Sequence, residues 1–297
     1  MKQVLFLFIF ATLIASCGNA KKGQQAGTVS VISDSLRFCE STLCNNDALL
    51  IANFGTAELN PLNNEGKGYI VEYRDGKIQP LIPADGTLSG PKGMGVKDGY
   101  LFICDVNKMV VYNLNEPENI PFVLMFPDGE VFVNDIIFIS NKLYVSVTNT
   151  GNIYTLDVAV PADMASKVFE PYVNVPGANG MVTDGEKIYI ASYPPDGVTK
   201  DENVIYVIND VEVPQPEKLI DRVGQYDGLA LSADGKTLYF TSWVNGEIGK
   251  VDLATKEVVL LPVKEQLTGP ADMTLHDGKL YIPDLPNSKV VIVETNE

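Results

Sequence analysis

Short apolar segments separated by tight-turn residues recur along most of the chain. In each repeat a small or polar residue precedes an apolar strand, a turn and a second strand that ends in a motif similar to Leu-Tyr-Ile. Val, Ile, Tyr and Phe dominate the strands, and pairs such as Asp98-Gly99 and Asp234-Gly235 between them are typical of β-hairpins. The period of a long amphipathic helix is missing from the sequence. The pattern therefore predicts an all-β protein.

Six copies of this unit can be aligned on the residue two positions before the first apolar residue of the unit. The aligned residues follow one another at intervals of 42 to 52 positions. This period fits four-stranded propeller blades and is too long for leucine-rich repeats. The last copy ends on its third strand, so residues 29–38 are expected to supply the missing strand and close the ring. Residues 29–297 are therefore predicted to form one six-bladed β-propeller with four-stranded blades. The aligned residues are Glu40, Lys92, Asn134, Asn179, Asp227 and Ala271.

The N-terminus has the pattern of a targeting signal. Residues 1–16 combine a positively charged start with an apolar run too short to span a bilayer comfortably, which predicts a signal peptide. The residues up to Cys17 (LIASC) resemble a bacterial lipobox, which implies cleavage before Cys17 and lipidation of this residue. The alternative is an ordinary signal peptide with an incidental cysteine. Residues 17–28 are polar and Gly-rich, as expected of a flexible tether. We therefore expect a membrane-anchored protein in the periplasm or at the cell surface.

Three cysteines follow the predicted anchor. Cys39 and Cys44 are close enough in sequence to form a disulfide in an oxidising compartment, or they are small buried residues. One thiol remains free in either case, and Cys104 is the expected one.

The net charge of −16 excludes one class of partner. An acidic surface repels phosphate backbones, so we expect no nucleic-acid binding. The same charge is compatible with cation binding. The chain is expected to act as a monomer.

Propeller geometry places the aligned residues in a ring around one mouth of the central channel. Four of them offer side-chain oxygens, and none offers sulfur or imidazole. This donor set suits Ca²⁺ or another hard divalent cation. The alternative is that these side chains cap turns, as Asn and Asp before Gly often do. The predicted metal ligands are Glu40, Asn134, Asn179 and Asp227.

The ends of the second strands are expected to form a rim above this ring. Aromatic side chains there suit a sugar or lactone ring, although inter-blade packing would explain them equally. Lys92 could polarise a substrate oxygen or balance nearby carboxylates. Two long connections on the same side, residues 55–68 and 194–203, could form a lid or a mobile rim. The predicted substrate pocket comprises Phe54, Lys92, Asp105, Thr148, Tyr193 and Trp243.

The segments around the four predicted ligands resemble the metal-binding positions of the senescence-marker-protein/gluconolactonase family in their order and spacing. That superfamily also includes calcium-dependent phosphotriesterases and paraoxonases. The resemblance implies a six-bladed propeller, a divalent metal held by Glu40, Asn134, Asn179 and Asp227, and hydrolysis of lactones or related esters. It also implies that Asp227 is both a metal ligand and the general base.

The chain departs from this family at three places. Phe132 occupies a position at which sugar lactonases often carry arginine, and Ile136 replaces an expected glycine. The single histidine, His276, lies in a turn expected at the opposite face, which disfavours a histidine-based mechanism. Two functions therefore remain open. The chain is a metal-dependent hydrolase of a lactone or ester, or a non-catalytic propeller with a structural calcium that binds a carbohydrate or a protein.

Overall fold

The computed structural model describes residues 27–295. The predicted signal peptide, the lipidation site at Cys17 and most of the predicted tether lie outside the described residues and stay predictions. No helix within residues 27–295 has the length and apolar character needed to cross a membrane. The helical segments within these residues are three short 3-10 helices at Pro161–Ser166, Val244–Gly246 and Leu285–Asn287.

The described chain forms six four-stranded antiparallel sheets, and the innermost strands of neighbouring sheets contact one another around a ring. This confirms the predicted six-bladed propeller. The first strand is β1 (Thr28–Ile32). Blade one contains β2 (Cys39–Asn45), β3 (Ala48–Asn53), β4 (Tyr69–Arg74) and β5 (Lys77–Ile82). Blade two contains β6 (Pro91–Lys97), β7 (Tyr100–Asp105), β8 (Lys108–Asn113) and β9 (Phe122–Met125). Blade three contains β10 (Val133–Ile139), β11 (Lys142–Val147), β12 (Asn152–Asp157) and β13 (Glu170–Asn174).

The remaining blades repeat this order from the channel outwards. Blade four contains β14 (Ala178–Thr183), β15 (Ile188–Ser192), β16 (Ile205–Ile208) and β17 (Pro216–Lys218). Blade five contains β18 (Tyr226–Leu231), β19 (Thr237–Ser242), β20 (Glu247–Asp252) and β21 (Val258–Leu260). Blade six contains β22 (Thr274–His276), β23 (Lys279–Asp284) and β24 (Lys289–Glu294), and its outermost strand is β1.

The N-terminal strand closes the ring, as the incomplete last repeat predicts. Strand β1 pairs antiparallel with β24, with Ile32 opposite Val290. Ile32 is buried in an apolar cluster together with Val290, Ile292 and Leu49. Blade six is therefore built from both ends of the described chain, which removes an open sheet edge.

The hydrophobic core lies between the blades. Every residue of β3 is buried because both faces of the strand are covered by neighbouring sheets. Edge-on aromatic pairs bridge adjacent blades, for example Phe102 and Phe138 with ring centroids 5.4 Å apart. Side chains between the sheets thus hold the ring together and fix the spacing of the inner strands.

The structure excludes the disulfide considered for Cys39 and Cys44. Both residues lie on β2, five positions apart, which corresponds to about 17 Å in an extended strand. A disulfide requires Cα atoms within about 7 Å of each other. Cys39, Cys44 and Cys104 are all free thiols, and Cys39 and Cys104 are fully buried.

Closure by β1 predicts a difference between two neighbouring residues of this strand. Ile32 is 6% exposed and Val31 is 42% exposed. The substitution Ile32→Ala is expected to lower the free energy of unfolding by about 2 kcal/mol or more, because it empties part of a packed core. Val31→Ala, the matched control, is expected to change it by about 0.5 kcal/mol or less. Urea denaturation measures both, and equal small effects would show that blade six does not depend on β1.

Candidate metal centre at the channel mouth

The innermost strands begin with a β-bulge at the aligned residue. In blades one to five the pairing of the first strand with the second shifts register between Cys39 and Ser41, Pro91 and Met94, Val133 and Ile136, Ala178 and Met181, and Tyr226 and Leu229. Bulges interrupt the strict alternation of a strand and re-aim side chains, and they are common next to active sites. Five of the six aligned residues therefore lie within a β-bulge.

The structure brings the four predicted ligands together. Their side chains, from four different blades, line one pocket of about 200 Å³. All four residues are buried, with exposures between 1% and 7%. The remaining lining residues are Leu59, Pro61, Phe132, Tyr193, Pro195, Trp243 and Leu285.

One oxygen of each predicted ligand is buried without a hydrogen-bond partner. Six buried side-chain atoms within residues 27–295 are in this state, and Tyr112 and Thr155 supply the other two. An unsatisfied buried polar atom costs about 1–3 kcal/mol. Turn-capping side chains would have backbone N–H partners, so these oxygens do not behave as caps. The four atoms are Glu40 Oε2, Asn134 Oδ1, Asn179 Oδ1 and Asp227 Oδ1.

The two carboxylates of the pocket resist ionisation in the absence of a counter-charge. Burial raises the pKa of Glu40 well above its usual range, and the charge of Asp227 raises it further. Burial also raises the pKa of Asp227, to which the charge of Asp272 adds, while the Lys92 ammonium lowers the pKa of both groups. A bound cation would favour the charged forms, because opposite charges stabilise each other most strongly in a desolvated site.

The donor chemistry of the pocket fits a hard divalent cation. Two carboxylate and two amide oxygens are ligands of the kind that Ca²⁺ takes, with water completing the shell. Within the described residues no group of three or more His, Cys, Asp and Glu side chains is arranged to hold a metal ion. The candidate centre has two such side chains, so it depends on the amide oxygens of Asn134 and Asn179.

Glycines allow the inner strands to meet at this level. A Cβ atom on Gly180, which follows Asn179, would lie 2.1 Å from the backbone oxygen of Asp227. A Cβ atom on Gly228, which follows Asp227, would lie 2.6 Å from the nitrogen of Met273. No side chain fits at either position, because backbone of the next blade occupies the space.

Two buried hydroxyl groups fix the backbone of the ring. Ser146 Oγ accepts a hydrogen bond from the Asp135 N–H at 3.0 Å and donates to the Asn179 carbonyl at 2.6 Å. Thr241 Oγ1 accepts from the Gly228 N–H at 2.7 Å and donates to the Ala271 carbonyl at 2.9 Å. Each hydroxyl joins the bulge of its own blade to the next blade, so the backbone around the candidate ligands is held before any ligand binds.

Sequence reasoning missed two buried carboxylates one step further along the channel. Asp135 accepts hydrogen bonds from the backbone N–H groups of Ile136 at 2.7 Å and Met181 at 2.6 Å, and it thereby ties blade three to blade four. Asp272 accepts from Ser41 Oγ at 2.7 Å, and burial raises its pKa to about 7. Both residues directly follow an aligned residue, and this shared offset is the signal that could have found them.

Two of the six predicted rim residues line the pocket. Tyr193 and Trp243 meet edge to face above the candidate ligands, with ring centroids 6.4 Å apart. His276 is absent from the lining and lies at the end of β22 beside the turn residue Asp277, with 45% of its side chain exposed.

The other four predicted rim residues are fully buried outside the pocket lining. Asp105 accepts hydrogen bonds from the backbone N–H groups of Ser89 and Gly90, and Thr148 donates to the Ala178 carbonyl. Local backbone groups therefore use the polar atoms of both residues. Phe54 packs against Phe38 and Leu285, and the Lys92 ammonium donates to two carbonyls. The four residues are Phe54, Lys92, Asp105 and Thr148.

Comparisons with known proteins support the fold alone. No protein-family model matches the chain, and no curated protein sequence matches it significantly. A chain of a nidogen/laminin complex is 14% identical with a TM-score of 0.63, and the match covers 78% of this chain and 87% of that one. A protein of unknown function from Bacteroides thetaiotaomicron is 13% identical, with a TM-score of 0.60 and coverages of 92% and 72%. A streptogramin B lyase is 11% identical, with a TM-score of 0.60 and coverages of 89% and 96%.

The close approach at Gly180 predicts a strong effect of a single methyl group. Gly180→Ala is expected to lower the free energy of unfolding by about 1–3 kcal/mol, because the new Cβ must push the Asp227 backbone away. The control Gly27→Ala places its Cβ in open space and is expected to change the free energy of unfolding by about 0.5 kcal/mol or less. Urea denaturation compares the two variants. An equally small effect of Gly180→Ala would show that the inner strands do not require this contact distance.

Proposed function

We propose that the chain binds one hard divalent cation, Ca²⁺ in the first place, and hydrolyses a lactone or related ester in the adjoining pocket. The observation that carries the proposal is the set of four buried, unpartnered oxygens in one pocket. The resemblance of the same four positions to gluconolactonase-type sites supports it. The residues that would hold the cation are Glu40, Asn134, Asn179 and Asp227.

In the proposed hydrolysis the cation and Asp227 would have different tasks. A bound divalent cation polarises a carbonyl oxygen and stabilises negative charge that develops there. Asp227 is suited to accept a proton from an attacking water, because a bound cation would hold its buried carboxyl in the charged form that a general base requires.

The pocket lining favours a small uncharged substrate with an apolar part. Its walls away from the candidate ligands are Leu59, Pro61, Phe132, Pro195 and Leu285, with the two aromatic side chains of Tyr193 and Trp243. Among the described residues, no Lys, Arg or His side chain lines the pocket. The volume of about 200 Å³ is below the range of about 300–1,000 Å³ that is usual for drug-sized ligands. An alkyl-substituted lactone or ester fits this lining better than a sugar acid or a phosphate.

Binding without catalysis is the second candidate function. It is favoured because the described pocket lining offers no side chain that readily donates a proton to a leaving group. Burial and then the charge of Asp227 raise the pKa of Tyr193 to about 12, so its hydroxyl is a weak acid. The Lys92 ammonium is bonded to carbonyls instead of facing the pocket. A cation and an aromatic wall would still bind a small ester or a carbohydrate.

The proposed lipid anchor at Cys17 would place the site outside the cytoplasm. Extracellular calcium-binding modules have dissociation constants of about 10⁻⁴–10⁻³ M, so an affinity in this range would be sufficient there.

The cation site predicts opposite effects of Asp227→Asn with and without calcium. In EDTA at pH 8 the variant is expected to melt about 2–4 °C above the wild type, because the amide replaces a carboxyl whose ionisation is opposed by burial and by the charge of Asp272. Calcium at 100 times its dissociation constant should stabilise the wild type by about 2.7 kcal/mol, and the variant should lose most of this gain. Differential scanning calorimetry measures both effects.

The control is Glu130→Gln, which alters a buried carboxylate outside the pocket that accepts a hydrogen bond from the Tyr154 hydroxyl. This variant should keep the calcium response. An undiminished response in Asp227→Asn would contradict the proposed ligand set.

The hydrolase proposal predicts turnover that depends on the cation. A panel of lactones and aryl esters with alkyl chains of increasing length is assayed with and without EDTA. We expect hydrolysis that EDTA abolishes, a preference for alkyl over polyhydroxylated lactones, and a kcat at least about 100-fold lower in Asp227→Asn. Glu130→Gln should retain kcat. Tight calcium binding with no turnover of any substrate would instead support the binding propeller.

A further inference from the structure

The connection between β3 and β4 forms one side of the pocket. Residues 55–68, called the wall loop below, contribute Leu59 and Pro61 to the pocket lining. Arg37 donates to the carbonyls of Thr56 and Ala57 at the start of the loop. Further along, Asn63 is buried and donates to the Ser89 carbonyl at 3.0 Å. The wall loop is therefore bonded to blade two and to the N-terminal segment, as expected for a fixed wall.

Lys92 supplies the bond nearest to the pocket. Its ammonium donates to the carbonyl of Pro61 at 2.9 Å and to that of Gly90 at 2.8 Å. The rings of Phe54 and Phe132 lie 5.4 Å and 5.2 Å from the nitrogen, within range for cation–π attraction. The residue is 0% exposed. Two carbonyls and two aromatic faces thus replace the water that this ammonium loses.

Burying an ammonium group is unfavourable unless contacts of this kind compensate for the lost hydration. Burial lowers the pKa of Lys92, and the charges of Glu40 and then Asp105 raise it. Lys92 lies on the inner strand of blade two, which contacts the inner strands that carry Glu40 and Asn134. Its positive charge is therefore placed beside the candidate ligands, and it lowers the pKa of Glu40 and Asp227. Lys92 therefore acts on two parts of the site at once, the wall loop through a bond and the candidate ligands through its charge.

We propose that Lys92 is a positioning residue that links the pocket wall to the cation site. Its ammonium holds the Pro61 carbonyl and keeps the wall loop against the pocket, while its positive charge weakens cation binding at Glu40 and Asp227. The second half of this inference rests on the proposed cation site, and the first half does not. Lys92 does not line the pocket, so it acts only through these neighbours.

Replacing Lys92 is expected to have opposite effects on the two parts of the site: the pocket wall becomes looser, and cation binding becomes tighter. A lysine with a purely structural role would, on substitution, loosen the pocket and weaken cation binding together. A simple counter-charge would change cation affinity and leave the wall in place. Lys92→Met, which keeps the apolar stem and removes the charge and both hydrogen bonds, should loosen the wall and tighten cation binding. This combination distinguishes the proposed role from both simpler ones.

The first measurement reports on the wall and uses the only tryptophan of the chain, Trp243, which lines the pocket. Acrylamide quenching of its fluorescence is compared in the full chain in EDTA. We expect the quenching constant of Lys92→Met to rise by about twofold, because the wall loop loses the bond that holds its pocket-lining residue Pro61. Lys108→Met is the matched control, since Lys108 donates to the Thr87 carbonyl in the same blade at 2.7 Å, away from the pocket. The control should quench like the wild type.

The second measurement is a calcium titration by isothermal titration calorimetry. The dissociation constant of Lys92→Met is expected to fall roughly three- to tenfold, because a positive charge near two carboxylates is removed. Lys92→Arg keeps the charge and should stay within about twofold of the wild type. Lys108→Met should leave calcium affinity unchanged within about twofold, because the Lys108 ammonium pairs with Asp105 at 3.5 Å and lies outside the pocket lining.

The outcomes separate this inference from the proposed function. Unchanged quenching in a folded Lys92→Met variant overturns the role in the wall, and unchanged or weaker calcium binding overturns the role in affinity. If Lys92→Met does not fold, Lys92→Gln, which lacks the charge and has a shorter donor, replaces it in both measurements with the same expected directions. A wild type that binds no calcium overturns the proposed function, and the quenching comparison then decides the inference alone.

Discussion

The approach of neighbouring inner strands at the channel mouth is the constraint on which the rest of the site depends. Backbone meets backbone there, and only glycine fits at Gly180 and Gly228. Ser146 and Thr241 satisfy the polar groups of the bulges and bond each bulge to the next blade. Inner strands held further apart would leave the four candidate ligands on separate blades without a common centre. The apolar packing between the blades thus serves the chemistry of the channel by fixing this distance.

The cost of the arrangement is electrostatic. Four buried oxygens without partners, two of them on carboxylates with raised pKa values, oppose folding in the absence of a ligand. Buried polar groups are normally satisfied, and exceptions of this kind concentrate at functional sites, where stability is sacrificed for binding. A divalent cation would relieve the cost because it supplies the charge and the coordination that the protein interior withholds. The local instability and the proposed activity would then have the same physical origin.

The ring is built from one repeated unit, but its chemistry is not symmetric. Four aligned residues are oxygen donors, the fifth is the buried Lys92 and the sixth is Ala271. Long connections after the second strand are likewise confined to blades one and four, and the wall loop of blade one closes the pocket on the side of Lys92. One fold hosts many different functions, so the asymmetric residues are where the function of this chain has to be tested.

The sequence by itself determined the number of blades, the closure by β1 and the common position of Glu40, Asn134, Asn179 and Asp227, because a repeated two-residue alternation with fixed turns is a local property that adds up to a ring. It also indicated the aromatic wall of Tyr193 and Trp243. Only the tertiary structure decided that Asp105, Thr148 and Lys92 are turned away from the pocket. Each of them has a hydrogen-bond partner 15 to 31 residues away, and such a partner leaves no mark on local periodicity. The same reason hid the partners Met181 of Asp135 and Ser41 of Asp272, although the shared offset of these two carboxylates is visible in the sequence. Periodicity records which face of a strand is buried, and the partner of a buried polar group is known only when distant segments meet.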